Sequence, residues 1–197
     1  MKSSLLAFFL IISSSVFSQE IIIGPQLYMN STTFKVDGTT LSNPGFATAH
    51  STLTGGLGYR LSKKVFAQHN FMYFKQVHDA NQFEEFSYLY SYVGMHNNIL
   101  FSPANKWYFG AGVPISYTLN ARQSNGFGSL DLLAENNTPE FNAGYNAILG
   151  YKQQISDTFT IYFDCTRTHF LQSLDNDPGQ KLIAKSYAIS FKAAFRL

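Results

Sequence analysis

A two-residue alternation that runs for fourteen positions without a break restricts this chain more than any other feature. Between Trp107 and Asn120 the odd positions are Trp107, Phe109, Ala111, Val113, Ile115, Tyr117 and Leu119, all apolar. The even positions, Tyr108, Gly110, Gly112, Pro114, Ser116, Thr118 and Asn120, are mostly small or polar. Successive side chains of a strand point to opposite faces, so the pattern describes an extended strand with one apolar face, and a helix would scramble it. The same rhythm recurs over Phe141–Lys152, Phe159–Thr168, Ser186–Leu197 and Thr52–Arg60. Ile21–Asn30, Val65–Gln76 and Phe86–Phe101 alternate less cleanly. In Val65–Gln76 apolar residues fall on both faces, and no orientation follows from them. The eight stretches form four hairpins. Short connections fall at Leu61–Lys64, Ser102–Lys106 and Ser156–Thr158; long polar ones fall at Ser31–Thr48, Val77–Glu85, Ala121–Glu140 and Phe170–Ile183. Both chain ends then lie on the short-turn side.

Composition decides which face meets which solvent. Charged residues are 13% of the chain, against about 25% in soluble domains, while aromatics reach 16%. The polar faces are rich in Gly, Ser, Thr, Asn and Tyr and poor in the Lys and Glu that keep a water-facing sheet soluble. A transmembrane barrel carries its apolar residues outside and its polar or small ones inside. The stretches also reach the roughly 9–11 residues that a tilted membrane-crossing strand needs. Tyr59, Phe101, Trp107, Tyr151 and Phe159 flank the short turns, where an interfacial girdle of rings is expected. The expected fold class is all-β: an eight-stranded antiparallel up-and-down transmembrane barrel with short periplasmic turns and long external loops. A secreted soluble barrel that binds a small ligand is the alternative with the opposite polarity. Beyond the first two dozen positions no apolar run reaches the roughly 20 residues of a membrane helix. A net charge of +2 leaves no nucleic-acid footprint, and the single cysteine, Cys165, excludes an internal disulfide.

Residues 1–18, MKSSLLAFFLIISSSVFS, read as a cleaved signal peptide, with Lys2 as the positive region and Leu5–Ile12 as the apolar one. That leaves residues 19–197 as the barrel, expected in a bacterial outer membrane. The last stretch, KSYAISFKAAFRL from Lys185 to Leu197, resembles the terminal strand by which outer-membrane proteins are recognised by the barrel-assembly machinery. Tyr187, Ile189, Phe191, Phe195 and Leu197 occupy its alternate positions, although the family most often ends in Phe or Trp. In layout the mature chain resembles the small OmpA/OmpX-like outer-membrane barrels, in a Bacteroidetes-type style rich in Tyr and Asn. That resemblance implies a structural or surface-interaction protein, engaged in adhesion or binding through its loops. It also implies contact with outer-membrane lipid or lipopolysaccharide. A wide pore is not expected, because eight strands leave room for little beyond side chains.

Five charged residues fall on the faces assigned to the lumen: Arg60, Lys152, Asp164, Lys192 and Arg196. Asp164 lies five residues beyond Phe159, and Lys192 lies five before Leu197. Adjacent strands of similar tilt bring the two near one level, which predicts a buried ion pair with Lys152 nearby, since an unpaired buried charge is costly. In the third long loop, Ser129–Glu135 is expected to form a helical turn capped by Ser129. Its Leu130, Leu132 and Leu133 either fold back over the barrel mouth or offer a contact point for a partner. Pro114 predicts a bulge or a break in mid-strand, and the glycines at 55–58 and 110–112 predict sharp sheet curvature. No catalytic residue, metal ligand or cofactor is expected. The enzymatic alternative is a lipid-modifying enzyme of the lipid A deacylase or acyltransferase kind. It would draw on His169, Ser173 and Asp175, yet the sequence lacks the His-x-Ser-Asn arrangement of the deacylases.

Overall fold

Each alternating stretch pairs with its neighbours in sequence, and the last pairs with the first. The computed structural model describes residues 19–36, 39–40, 46–80, 86–104, 106–125, 127–135, 137–173 and 180–197. The leader expected over residues 1–18, and Asp175, lie outside these. The strands are β1 (Gln19–Val36), β2 (Thr39–Thr40), β3 (Phe46–Arg60), β4 (Val65–Ala80), β5 (Phe86–Phe101), β6 (Trp107–Asn125), β7 (Gly128–Asp131), β8 (Phe141–Gln154), β9 (Phe159–Phe170) and β10 (Gln180–Arg196). Eight of them form the wall in the order β1-β3-β4-β5-β6-β8-β9-β10, every pair antiparallel. The wall closes where β1 meets β10, from Glu20 opposite Arg196 to Val36 opposite Gln180. Closure of the sheet on itself is the one all-β solution that can cross a bilayer; the β3–β4 ladder runs from Arg60 opposite Phe66 up to Thr54 opposite Met72. The short strands β2 and β7 extend hairpins on β1 and β6 at the long-loop end. No helix occurs among the described residues.

Burial alternates with the sequence. Along β1, Ile22, Gln26 and Tyr28 are buried while Ile21, Ile23 and Leu27 are exposed. The outer wall carries Leu53, Phe71, Val113, Leu149, Phe163 and Phe191 with about half of their surface open. An apolar surface of that continuity is far larger than the patches soluble monomers expose. At the short-turn end, below, rings meet on the outside in edge-on or tilted pairs: Trp107 with Tyr151 at 5.3 Å, Phe101 with Phe109 at 5.5 Å and Phe159 with Phe195 at 5.1 Å.

The lumen differs from the small, hydrophilic filling expected of it. It holds two apolar layers, which is why β4 looked apolar on both faces. Phe66, Met72 and Phe74 point inward there, with Gln68 and Asn70, while Phe71 and Tyr73 point outward. Large rings fit a narrow tube because glycines stand opposite them. A Cβ on Gly150 would collide with the Tyr108 ring, and one on Gly110 with Leu100. Pro114 breaks the ladder without shifting it. The β6–β8 register skips Val113 and Pro114 and resumes unchanged at Ile115 opposite Ala143.

Candidate functional site

From bottom to top the lumen has three zones. The lower apolar layer comprises Ile22, Phe66, Leu100, Tyr108, Ile148, Tyr162 and Ala194. Its rings are mutually packed, Phe66 lying 5.6 Å from Tyr108 and Tyr108 5.8 Å from Tyr162. The upper layer is built around Phe74, with ring centroids 5.6 Å to Tyr28, 4.9 Å to Tyr92 and 6.4 Å to Phe170. Between the layers lies a polar zone that includes Gln68, Asn70, His96, Asn98, Asn142 and Asn146, all buried.

Asp164 is the hub of that zone. The register sets it opposite Ser190 and sets Lys192 opposite Tyr162, so aspartate and lysine face each other on a diagonal. Lys192 Nζ lies 2.8 Å from Asp164 Oδ2. Tyr108 donates to the same oxygen at 2.8 Å, reaching up from the lower layer, and Ser190 donates to Oδ1 at 2.6 Å. A carboxylate with a cation and two hydroxyl donors has the partners that burial demands. Around it some amides are less well matched. Asn146 Nδ2 donates to Asn98 Oδ1 at 3.0 Å across Gly112, but Gln68 Nε2, Asn70 Oδ1, Asn142 Oδ1 and Asn146 Oδ1 have no protein partner. Internal water is the usual ligand of such groups.

Of the other three charges assigned to the lumen, Lys152 was the one expected near this pair, and none of the three joins it. Lys152 is half-buried near the short-turn end, its Nζ 4.7 Å above the Phe66 ring, so a ring face rather than Asp164 receives it. Arg60 ends β3 and is exposed. Arg196 approaches Glu20 at 3.9 Å, and Tyr162 donates to the other Glu20 oxygen at 2.8 Å. The sequence does not mark Glu20 as inward, because the Ile21–Ile23 run beside it obscures the alternation.

At the upper mouth the Ser129–Glu135 segment corrects the expected helical turn. Residues 128–131 pair with β6 as β7, and the turn that follows is capped by Asp131, whose Oδ1 accepts from Leu133 N at 3.1 Å and Ala134 N at 3.2 Å. Leu132 N then bonds Ala121 O at 2.9 Å, which draws the Leu132 side chain into the upper layer and packs half-buried Leu133 against it. Burial takes Leu132, and most of Leu133, out of any external contact; Leu130 stays 43% exposed. His169 lies on the outer face with its ring 5.1 Å from Tyr145. Among the described residues no group of His, Cys, Asp and Glu is placed to hold a metal ion.

No protein-family model matches the chain, and no curated protein matches it. Solved structures do. The attachment invasion locus protein Ail of Yersinia pestis, in complex with the heparin analogue sucrose octasulfate, is similar with a TM-score of 0.50 and 13% identity, over 92% of this chain and 99% of that one. Neisserial surface protein A is similar with a TM-score of 0.51 and 9% identity, over 90% and 97%. The outer membrane protein OprG of Pseudomonas aeruginosa is similar with a TM-score of 0.51 and 9% identity, over 91% and 96%. At these identities the likeness is one of fold: the eight-stranded closed barrel of small outer-membrane proteins.

Proposed function

We propose that this chain is an integral barrel of a bacterial outer membrane, of the OmpA/OmpX-like kind and in the Bacteroidetes style. Its role is structural or adhesive: much of the sequence expected as long loops continues the strands, leaving five residues between β4 and β5, and the strand ends and connections at this side of the wall stand at the cell surface and do the binding. Export by residues 1–18 and assembly through Lys185–Leu197 belong to the same reading. One observation carries it. The apolar residues line the outside of a closed wall, while two packed aromatic layers block the inside above and below the Asp164–Lys192 pair. Such a wall requires lipid, and such a lumen conducts little. This reading assigns no reaction to the chain.

The test has two arms. The full-length protein, extracted from outer-membrane fractions in mild detergent, should migrate differently on a gel before and after boiling. In planar bilayers it should give no steady conductance step of porin size. A monodisperse detergent-free protein would overturn the membrane reading, and a large stable conductance would overturn the sealed lumen. Adhesive function is read separately, by the double variant F127S/L130S at exposed positions of the β6–β7 hairpin, which leaves the Leu132 anchor in place; attachment of intact cells should fall without loss of the barrel.

A further inference from the structure

The outward face of β9 and β10 departs from the apolar rule at one height. Arg167 and His169 follow Phe163 and Cys165 along the outer face of β9, and Lys185 follows Ile189 and Tyr187 along that of β10. The register sets Lys185 directly opposite His169 and Tyr187 opposite Arg167. These three basic side chains therefore occupy neighbouring positions on one outer surface. The Glu140 carboxylate, at the start of neighbouring β8, is turned away to Tyr117 of β6 at 3.4 Å.

Their height is informative. Lys185 is ten residues along β10 from Phe195, which belongs to the lower outer rings. At roughly 3.3 Å per residue and a tilt near 40° that is a rise of about 25 Å, the height of the apolar band of such barrels. The cluster thus stands where the wall leaves hydrocarbon at the long-loop end. Both side-chain frames are held by rings: Arg167 Cζ sits 5.6 Å from the Tyr187 ring centre, and His169 stacks obliquely on Tyr145. An arginine braced on a ring keeps its planar fork free for two parallel bonds to a phosphate.

Directly below runs a groove of about 370 Å³ in the outer wall, from Arg167 down past Tyr187, Met29, Ala147, Cys165, Leu149 and Ile189. The small side chains of Ala147 and Cys165 form its floor between larger neighbours. The Arg167 and Lys185 cations at the interface, with an apolar channel beneath them, match an amphiphile with an anionic head and an acyl tail. We infer that Arg167, His169 and Lys185, with this groove, form a binding site for the phosphorylated glycolipid of the outer leaflet, lipid A. Its phosphate sits on Arg167 and Lys185, and one acyl chain lies over Cys165. This rests on the outer-membrane reading above, since it requires the long-loop end to face the outer leaflet.

Full-length protein in mild detergent, checked first for the gel shift on boiling, is titrated with lipid A and scored by native mass spectrometry. Wild type should retain lipid A, and the double variant R167Q/K185Q should bind it at least about tenfold more weakly, the loss expected of two charge-assisted contacts. Dephosphorylated lipid A should fall by a similar factor on wild type, and K63Q/K64Q at the opposite end should bind as wild type does. Lipid A should also slow alkylation of Cys165 by an apolar maleimide in wild type but not in R167Q/K185Q. Equal retention by wild type and R167Q/K185Q overturns the site, and so does equal retention of phosphatidylglycerol and lipid A, which would mean general anionic-lipid attraction. A protein that shows no gel shift refutes the parent reading instead, so the two failures are distinct.

Discussion

The two faces of each wall strand obey different rules. Outward positions on β6 hold Phe109, Val113, Tyr117 and Leu119, each about half exposed, and what they share is apolarity. Inward positions on the same strand hold Tyr108, with its hydroxyl on Asp164, and Ser116 and Thr118, both buried. The outer face is a solvent match, in which many side chains serve equally well. The inner face is a three-dimensional fit, in which size, hydrogen-bonding capacity and the opposing glycine all have to agree. Lipid forgives shape but not charge; the lumen tolerates charge only when it is partnered.

The sharpest break of that comparison is at Asp164. Asp164→Ala removes the acceptor for Lys192, Tyr108 and Ser190 together and leaves a lysine buried without a partner. Breaking such a pair from one side costs about 3–5 kcal/mol. Urea unfolding of protein refolded in detergent should show that loss, whereas the double variant D164L/K192M should recover most of it. If Asp164→Ala unfolds at the wild-type midpoint, the pair is not structurally required. The outer-face counterpart is Phe71→Arg, at mid-height on β4, where 54% of the ring is exposed. If lipid covers that ring, a midplane arginine destabilises the barrel by about 2–4 kcal/mol. In a water-facing sheet the same change would be near neutral, so vesicle refolding of this variant tests the inverted polarity itself.

What could be read from the sequence follows the same division. On β6 and β8 the apolar positions fall on one side with two exceptions, Tyr108 and Ile148, which join the lower lumen layer, and parity still assigns both faces. On β4 parity failed because Phe66, Met72 and Phe74 are lumen residues packed into aromatic layers. A count of apolar residues cannot distinguish a ring facing acyl chains from a ring facing Gly150 or Phe170. The diagonal of Asp164 and Lys192 was within reach because both positions count back from the short-turn ends of adjacent strands. The place of Lys152 was not, since it depends on the Phe66 ring three strands away around the wall. Leu132 was ambiguous for a different reason: an apolar loop residue covers whatever the tertiary fold puts beneath it. Arg167 carries no signal in the sequence, because one cation among apolar neighbours acquires meaning only when its height on the wall is known.

Smaller effects sharpen the contrast. Gly150→Val places a branched side chain into the Tyr108 ring, which is itself anchored on Asp164 and packed against Phe66 and Tyr162. Overpacking of this kind costs typically about 1–3 kcal/mol. The effect should shrink in Gly150→Val/Tyr108→Leu, because the smaller side chain yields the space; unfolding midpoints of both variants measure it.

The least effect is expected from Val113→Ile. Val113 is half exposed on the outer face and faces the stretch where the β6–β8 ladder is interrupted beside Pro114. An added methylene there meets lipid rather than a neighbour and keeps the branched shape that strands favour. Its unfolding midpoint should stay within about 0.5 kcal/mol of wild type. A loss of the size expected for Gly150→Val would mean that the outer face is also a specific fit. It would place a packed partner against the wall at Val113, and the division between a permissive exterior and an exacting lumen would fail at that position.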